Sequence, residues 1–137
     1  MEEVIHARGH ENVSADHAST FEVSTDDYLT PAGDCILAID ANRAPADFDR
    51  EFVAACQDAD ATITVTLEAD GYRESVTGCG DPALECTNER SAVGRTSDYV
   101  DDRTIMLGAE FAADGFDRAL VEALAEGAEA IVTITVE

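Results

Sequence analysis

Lysine and tryptophan are absent from this chain of 137 residues, and its 8 basic residues are all arginine. They stand against 30 acidic residues, which gives a formal net charge of -22. Nucleic acids and anionic lipid surfaces attract proteins mainly through basic side chains, so we expect neither as a partner. No run approaches the roughly 18 apolar residues of a membrane span, and the first residues lack the basic stretch of a signal peptide. We therefore expect a cytoplasmic protein.

The chain folds in spite of its charge, because 45% of its residues are hydrophobic and they fall in regular patterns. In dilute buffer the mutual repulsion of so many carboxylates destabilises a compact state. At about 1 M salt the Debye length shrinks to about 3 Å, and exposed carboxylates scarcely repel each other. The composition resembles that of cytoplasmic proteins of halophilic archaea, and we expect a protein adapted to high salt.

An internal repeat organises the sequence. Residues 37–57 align without a gap with residues 105–125, and seven of the 21 positions are identical. After one inserted residue, the segment 62–68 aligns with the segment 131–137. The length fits one domain of residues 1–137, so the repeat predicts two pseudo-equivalent halves, about 1–70 and 71–137, within it.

Each half is predicted to hold several strands and a strand, helix, strand segment. Apolar residues recur at helical spacing from Phe48 and from Phe116, and Asp47 and Asp114 are the candidate N-caps. The segment Asp70-Gly71 predicts a hairpin turn between the halves. Period-2 alternation and turn residues predict strands near residues 3–9, 17–24, 35–41, 62–69, 72–78, 84–87, 90–96, 103–109 and 130–136.

Halves of about 68 residues are too small to bury a strong core alone, so we expect them to pack against each other. The predicted fold is mainly β, a two-sheet β-sandwich to which each half adds one short helix. An open mixed α/β sheet with its helices on one face is the alternative.

Four short strings resemble the archaeal domain-of-unknown-function family 371. They are ARGHENV at residues 7–13, LTPAGDCI at 29–36, GCG at 78–80, and RTS at 95–97 with its following Arg103-Thr104. The likeness spans nearly the whole chain and is that of a haloarchaeal member. It implies a β-sandwich of jelly-roll character and implies no activity.

Pairs of histidine and cysteine raise a metal hypothesis. At an offset of 69 residues, His10 falls opposite Cys79 and His17 falls opposite Cys86. Two imidazoles and two thiolates brought together by the packing of the halves would form a tetrahedral zinc site. The paired ligands lack the close spacing that is usual in zinc sites, so we expect no cofactor and keep zinc as the alternative.

Charged residues near strand starts suggest a second site. Asp34 and Arg103 occupy neighbouring places in the repeat, and we expect them to form an ion pair that holds the halves in register. The alternative is an anion or substrate clamp in which Arg95, Ser97 and Arg103 donate hydrogen bonds.

No motif for nucleophilic catalysis, phosphate binding or dinucleotide binding occurs. We therefore predict a binding or scaffolding module for a small ligand or a protein partner, as a monomer or a small homo-oligomer. An enzyme with a site between the halves, with or without a metal, is the alternative, and it would use His10, His17, Asp34 and Arg103. Convergence of these four side chains on one pocket would favour the enzyme.

Overall fold

Two four-stranded sheets make up most of the structure, a computed structural model that describes all 137 residues. The protein is mainly β, with 36% of residues in strands and 15% in helices. The elements in chain order are β1 (Glu2–Arg8), β2 (Thr20–Ser24), β3 (Ile36–Ala38), α1 (Arg50–Cys56), β4 (Thr62–Ala69), β5 (Tyr72–Cys79), β6 (Ser91–Arg95), β7 (Thr104–Met106), α2 (Arg118–Ala125) and β8 (Glu129–Val136). Both helices are too short to cross a membrane.

Sheet A is antiparallel throughout and holds its strands in the order β1-β8-β4-β5. Sheet B has the order β3-β2-β6-β7, in which the central pair is antiparallel and each short edge strand runs parallel to its neighbour. Two separate sheets are therefore present, and the alternative of one open mixed sheet is wrong.

A single hydrophobic core of 34 buried residues joins the sheets and the helices. Alternation in β4 and β8 sends aliphatic side chains to this core and threonines to the opposite side of sheet A. Phe116 follows a short 3-10 turn and packs edge to face against Phe21 of β2, with ring centroids 5.7 Å apart. Phe48 packs against Phe52 of α1 in the same manner at 5.5 Å. Aromatic contacts thus tie each helical segment into the core.

The predicted N-caps Asp47 and Asp114 are wrong. Both residues lie in 3-10 turns, Pro45–Asp47 and Ala113–Gly115, that precede the α-helices. The caps are Asp49 and Asp117, whose carboxylates accept hydrogen bonds from the amides two residues further on, at 2.9 Å and 2.8 Å. The extra turn delays each helix, because an N-cap side chain must reach the free amides of the first helical turn.

The predicted hairpin turn forms, since Asp70 and Gly71 both adopt positive φ angles, 50° and 82°. The predicted strand at 84–87 is wrong, and this segment is a loop. Leu84 and Cys86 alternate as in a strand because both side chains are buried, but Cys86 has a φ of 51°, which a strand cannot contain. The other predicted strands form within a few residues of their expected bounds.

Candidate functional site

Two predicted site residues, Arg95 and Arg103, converge on the carboxylate of Asp101. Arg95 ends β6 with only 9% of its side chain exposed, and its Nη2 donates to Asp101 Oδ2 at 3.0 Å. Its Nε donates to Thr104 Oγ1 at 2.9 Å. Arg103 donates to the same Oδ2 from Nη2 at 2.8 Å and from Nε at 3.1 Å. One carboxylate therefore neutralises two guanidinium groups.

The electrostatics of this arginine cluster, which comprises Arg95, Asp101, Arg103 and Thr104, lock it in its charged form. Partial burial alone would raise the pKa of Asp101, but the hydrogen bonds from Arg103 and Arg95 outweigh it and hold that pKa well below its usual range. The same hydrogen bond raises the pKa of Arg103. Tyr99 is 59% exposed, and its ring centroid lies 4.8 Å from the Arg95 guanidinium carbon.

The other two residues of the predicted clamp lie in different roles. Ser97 Oγ accepts a hydrogen bond from the amide of Tyr99 at 3.3 Å. Asp34 forms no ion pair, and its carbonyl oxygen accepts hydrogen bonds from two loop amides. The expected ion pair of Asp34 with Arg103 is wrong, because Asp101 stands two residues from Arg103 and binds both its backbone amide and its guanidinium.

The histidines act as backbone caps. His10 Nδ1 accepts a hydrogen bond from the amide of Asn12 at 3.0 Å. His17 Nδ1 accepts hydrogen bonds from the amides of Ser19 and Thr20, each at 3.2 Å. Acceptance at Nδ1 fixes the neutral imidazole with its proton on Nε2, which suits a turn in the chain.

Backbone contacts also change how the halves correspond. Gly9 and Gly80 each donate a hydrogen bond to the carbonyl oxygen just before β8 and β4 respectively, at 2.8 Å and 3.1 Å. These equivalent contacts stand 71 residues apart, so His10 lies opposite Asp81, and the matching of His10 to Cys79 is wrong by two residues. The offset of 69 placed the pairs together only in the sequence.

The cysteines of the proposed zinc site differ in their surroundings. Cys79 is exposed at the end of β5, whereas Cys86 is buried in a loop, where burial raises its thiol pKa to about 11. No group of three or more histidine, cysteine, aspartate and glutamate side chains is arranged to hold a metal ion. The structure does not bring the four predicted ligands together.

The outer face of sheet A, the side turned away from the core, is a feature that the sequence reasoning missed. Strand pairing places its side chains in cross-strand rows. One row holds Val4, Thr133, Thr66 and Ser75, and the next two hold Glu2, Thr135, Thr64 and Thr77, and His6, Ile131, Glu68 and Arg73. Thr66 and Thr133 are direct partners at its centre.

Charge is scarce on this outer face. The outward positions of its four strands carry two arginines and three glutamates, a net charge of -1, in a chain whose net charge is -22. All five lie in the outer rows, and the central row from Val4 to Ser75 has none. Seven of the other outward side chains carry hydroxyl groups: Thr62, Thr64, Thr66, Ser75, Thr77, Thr133 and Thr135.

A groove of about 1160 Å³ crosses the end of the outer face next to the turn between β4 and β5. Its lining includes His6, Arg8, Arg73 and Ile131, the last of which is 39% exposed. The ring of His6 makes no hydrogen bond within the chain, unlike the rings of the other two histidines. None of the four residues named for an enzyme lines this groove. The groove and the rows beside it form one continuous surface that can accept a partner.

A signal for this face is present in the sequence. Residues 62–66 and 133–135 place threonine at every outward position, although this chain uses carboxylates on most of its other exposed surface. Alternation predicts that one side of these strands is exposed, but it does not reveal which strands lie side by side. Only the strand order, which puts β4 beside β8, assembles the threonines into a surface.

Comparison with known proteins places the chain in a family. The family model described as a domain of unknown function, DUF371, matches residues 5–137. The chain is also similar to the uncharacterized protein MJ0206 of Methanocaldococcus jannaschii, with 40% identity over 136 residues that cover 99% of this chain and all of the relative. On both comparisons, this chain belongs to the DUF371 family.

Proposed function

We propose that this protein is a binding module that recognises a protein partner through the outer face of sheet A. The observation that carries the proposal is the contrast in charge, -1 on the outward positions of that face against -22 for the chain. The cores of protein interfaces are depleted in charged residues, and this face has that composition at its centre. Carboxylate-rich surfaces elsewhere disfavour close approach by another acidic protein.

Threonine suits such a surface. Its branched side chain has few rotamers in a strand, so little entropy is lost when a partner covers it. Each exposed hydroxyl can donate and accept a hydrogen bond, which lets a polar partner bind without leaving a buried group unpaired. Val4 and Ile131 supply apolar contacts beside the hydroxyl groups.

The architecture that supports this face is, in our proposal, a duplicated unit folded as a β-sandwich of jelly-roll character. Equivalent hydrogen bonds support duplication: Glu3 accepts one from the amide of Asp49, and Glu74 accepts one from the amide of Asp117, 71 and 68 residues later. In the register of sheet A, the local two-fold axis that relates the halves passes between Thr66 and its partner on β8. We also infer a high-salt cytoplasm as the setting, since the net charge favours it.

A small anionic ligand is the second candidate. Arg95 and Arg103 share one carboxylate, and neither Nη1 atom has a partner within the chain. A carboxylate or phosphate group could bind between these atoms, beside the exposed ring of Tyr99. Titration with inorganic phosphate tests this candidate, and a thermal shift that Arg103→Ala abolishes would support it.

Hydroxyl-radical footprinting tests the proposed face. Oxidation of Val4, His6 and Ile131 is measured in a native cell extract and in dilute purified protein, and Tyr28 and Tyr99, both 59% exposed, serve as references outside the face. We expect protection of the face residues in the extract, with the two tyrosines unchanged. Loss of this protection in Thr133→Glu would tie it to the face. Equal oxidation of the face in extract and buffer would contradict the proposal.

A further inference from the structure

The partner of the outer face must tolerate the charge of this chain. A second copy brings its own charge of -22, so two copies repel each other wherever carboxylates face carboxylates. On the outer face of sheet A the central row carries no charge, and two copies can come into contact there. We propose that the face binds a second copy of this chain, with the two sheets packed face to face and their strands crossed at about a right angle. This inference rests on the proposed function.

The edges of sheet A are closed to strand addition. On β1 the amide of His6 donates to the side chain of Asn42, and its carbonyl oxygen accepts from the backbone amide of the same residue. On β5 the amide and carbonyl oxygen of Thr77 bind Glu110 in the same way. Unpaired edges invite another strand, and these two edges are occupied. A second copy must therefore use the face rather than the edge.

The face is large enough for a specific dimer. Four strands about 4.8 Å apart and eight residues long, at about 3.3 Å per residue, cover about 19 Å by 26 Å. The projected area is about 500 Å² on each copy, or about 1,000 Å² for both. Specific interfaces begin at about this size.

The charges at the corners select the crossed arrangement. Glu2 and Arg73 stand at opposite corners of the face, on its two edge strands. A two-fold axis in the plane of the interface, perpendicular to the diagonal that joins them, places Glu2 of each copy against Arg73 of the other. Two such pairs of opposite charge complement each other at the rim and orient the copies. The same axis passes close to His6, so the two imidazoles lie near each other.

Sedimentation velocity on the purified chain, over a range of concentrations in molar potassium chloride, tests the dimer. We expect a reversible dimer in the wild type and at least a tenfold weaker dimer in Thr133→Glu, which puts a carboxylate at the centre of the face. Thr30→Glu adds the same charge at an exposed loop position and should leave the dimer unchanged. Circular dichroism shows whether each variant is folded. A wild type that stays monomeric at every concentration would overturn the proposal.

A charge swap tests the crossed arrangement with variants that leave the centre of the face intact. At the lowest salt that preserves the fold, Arg73→Glu should weaken the dimer, and adding Glu2→Arg should restore it. Arg50→Glu is the matched control, because Arg50 is exposed, lies on α1 and forms no ion pair. Failure of the double variant to recover, or equal weakening by the control, would refute the arrangement.

Footprinting separates failure of this inference from failure of the proposed function. Protection of Val4 and Ile131 that grows with the concentration of purified chain supports a second copy. Protection in cell extract but not in concentrated purified protein overturns the second copy and leaves the binding face standing. Absence of protection in both overturns the two proposals together.

Discussion

Removing the carboxylate of Asp101 should be among the most damaging single changes on the surface of sheet B. Asp101→Ala leaves the guanidinium of Arg95, with 9% of its side chain exposed, paired only with a threonine hydroxyl. Breaking a buried charge pair from one side costs about 3–5 kcal/mol. Asp101 is 21% exposed, so we expect the lower end, about 3 kcal/mol, which corresponds to a fall of about 10 °C in Tm for a chain of this size.

Matched variants identify the cause of that loss. Arg103→Ala removes a side chain that is 40% exposed and leaves the pair of Arg95 with Asp101 intact, so we expect a cost of about 1 kcal/mol. The double variant Arg95→Met/Asp101→Ala leaves no unpaired charge and should be more stable than Asp101→Ala alone. Urea unfolding in molar potassium chloride measures all four proteins. Equal costs for Asp101→Ala and Arg103→Ala, or no recovery in the double variant, would refute the reasoning.

The same pair sets a pH dependence. The pKa of Asp101 is depressed in the folded protein, so its contribution to stability is fully present above the usual carboxyl pKa of about 4. The contribution is lost as the pH falls from there towards the folded pKa, because the unfolded chain then binds the proton more readily. The difference in stability between wild type and Asp101→Ala should therefore be constant above about pH 5 and shrink below pH 4. A difference that grows on acidification would contradict the ion pair.

Three further outcomes are expected. A thiol reagent at pH 8 should modify Cys79 rapidly in the native protein and all four cysteines after unfolding, since burial raises the pKa of Cys56 to about 12; rapid native modification of Cys56 would contradict the core. Gly94→Ala should cost about 2–3 kcal/mol in urea unfolding, because its Cβ would lie 2.2 Å from the ring of Phe21, whereas Gly71→Ala, at a φ of 82° with open space around it, should cost about 1 kcal/mol; the reverse order would count against this packing. Circular dichroism should lose strand signal as potassium chloride is lowered, and a fold unchanged in millimolar buffer would defeat the inference of high-salt adaptation.

Local patterns in the sequence determined much of the fold. Alternating aliphatic residues and threonines predicted β4 and β8, and the apolar stripes from Phe48 and Phe116 predicted both helices. The hairpin at Asp70-Gly71 formed because its two residues tolerate positive φ angles. These features depend on the preferences of residues near each other in the chain, so a single sequence is enough to find them.

The exact correspondence between the halves was beyond the sequence. Insertions between elements shift the offset, and an alignment by letters placed His10 opposite Cys79 where backbone contacts place it opposite Asp81. The strand expected at 84–87 failed for a related reason, because a buried loop can alternate apolar residues without extended backbone. Register and loop conformation are set by long-range hydrogen bonds.

By itself, the sequence determined the charge, the mainly β character, the approximate elements and the choice of threonine for the outward side of two strands. Only the tertiary structure decided that Arg103 binds Asp101 rather than Asp34, and that β4 lies beside β8. A side chain pairs with the nearest suitable group in space, and strands from distant parts of a chain make a surface only when the sheet has assembled. The candidate recognition surface is therefore a property of the folded sheet.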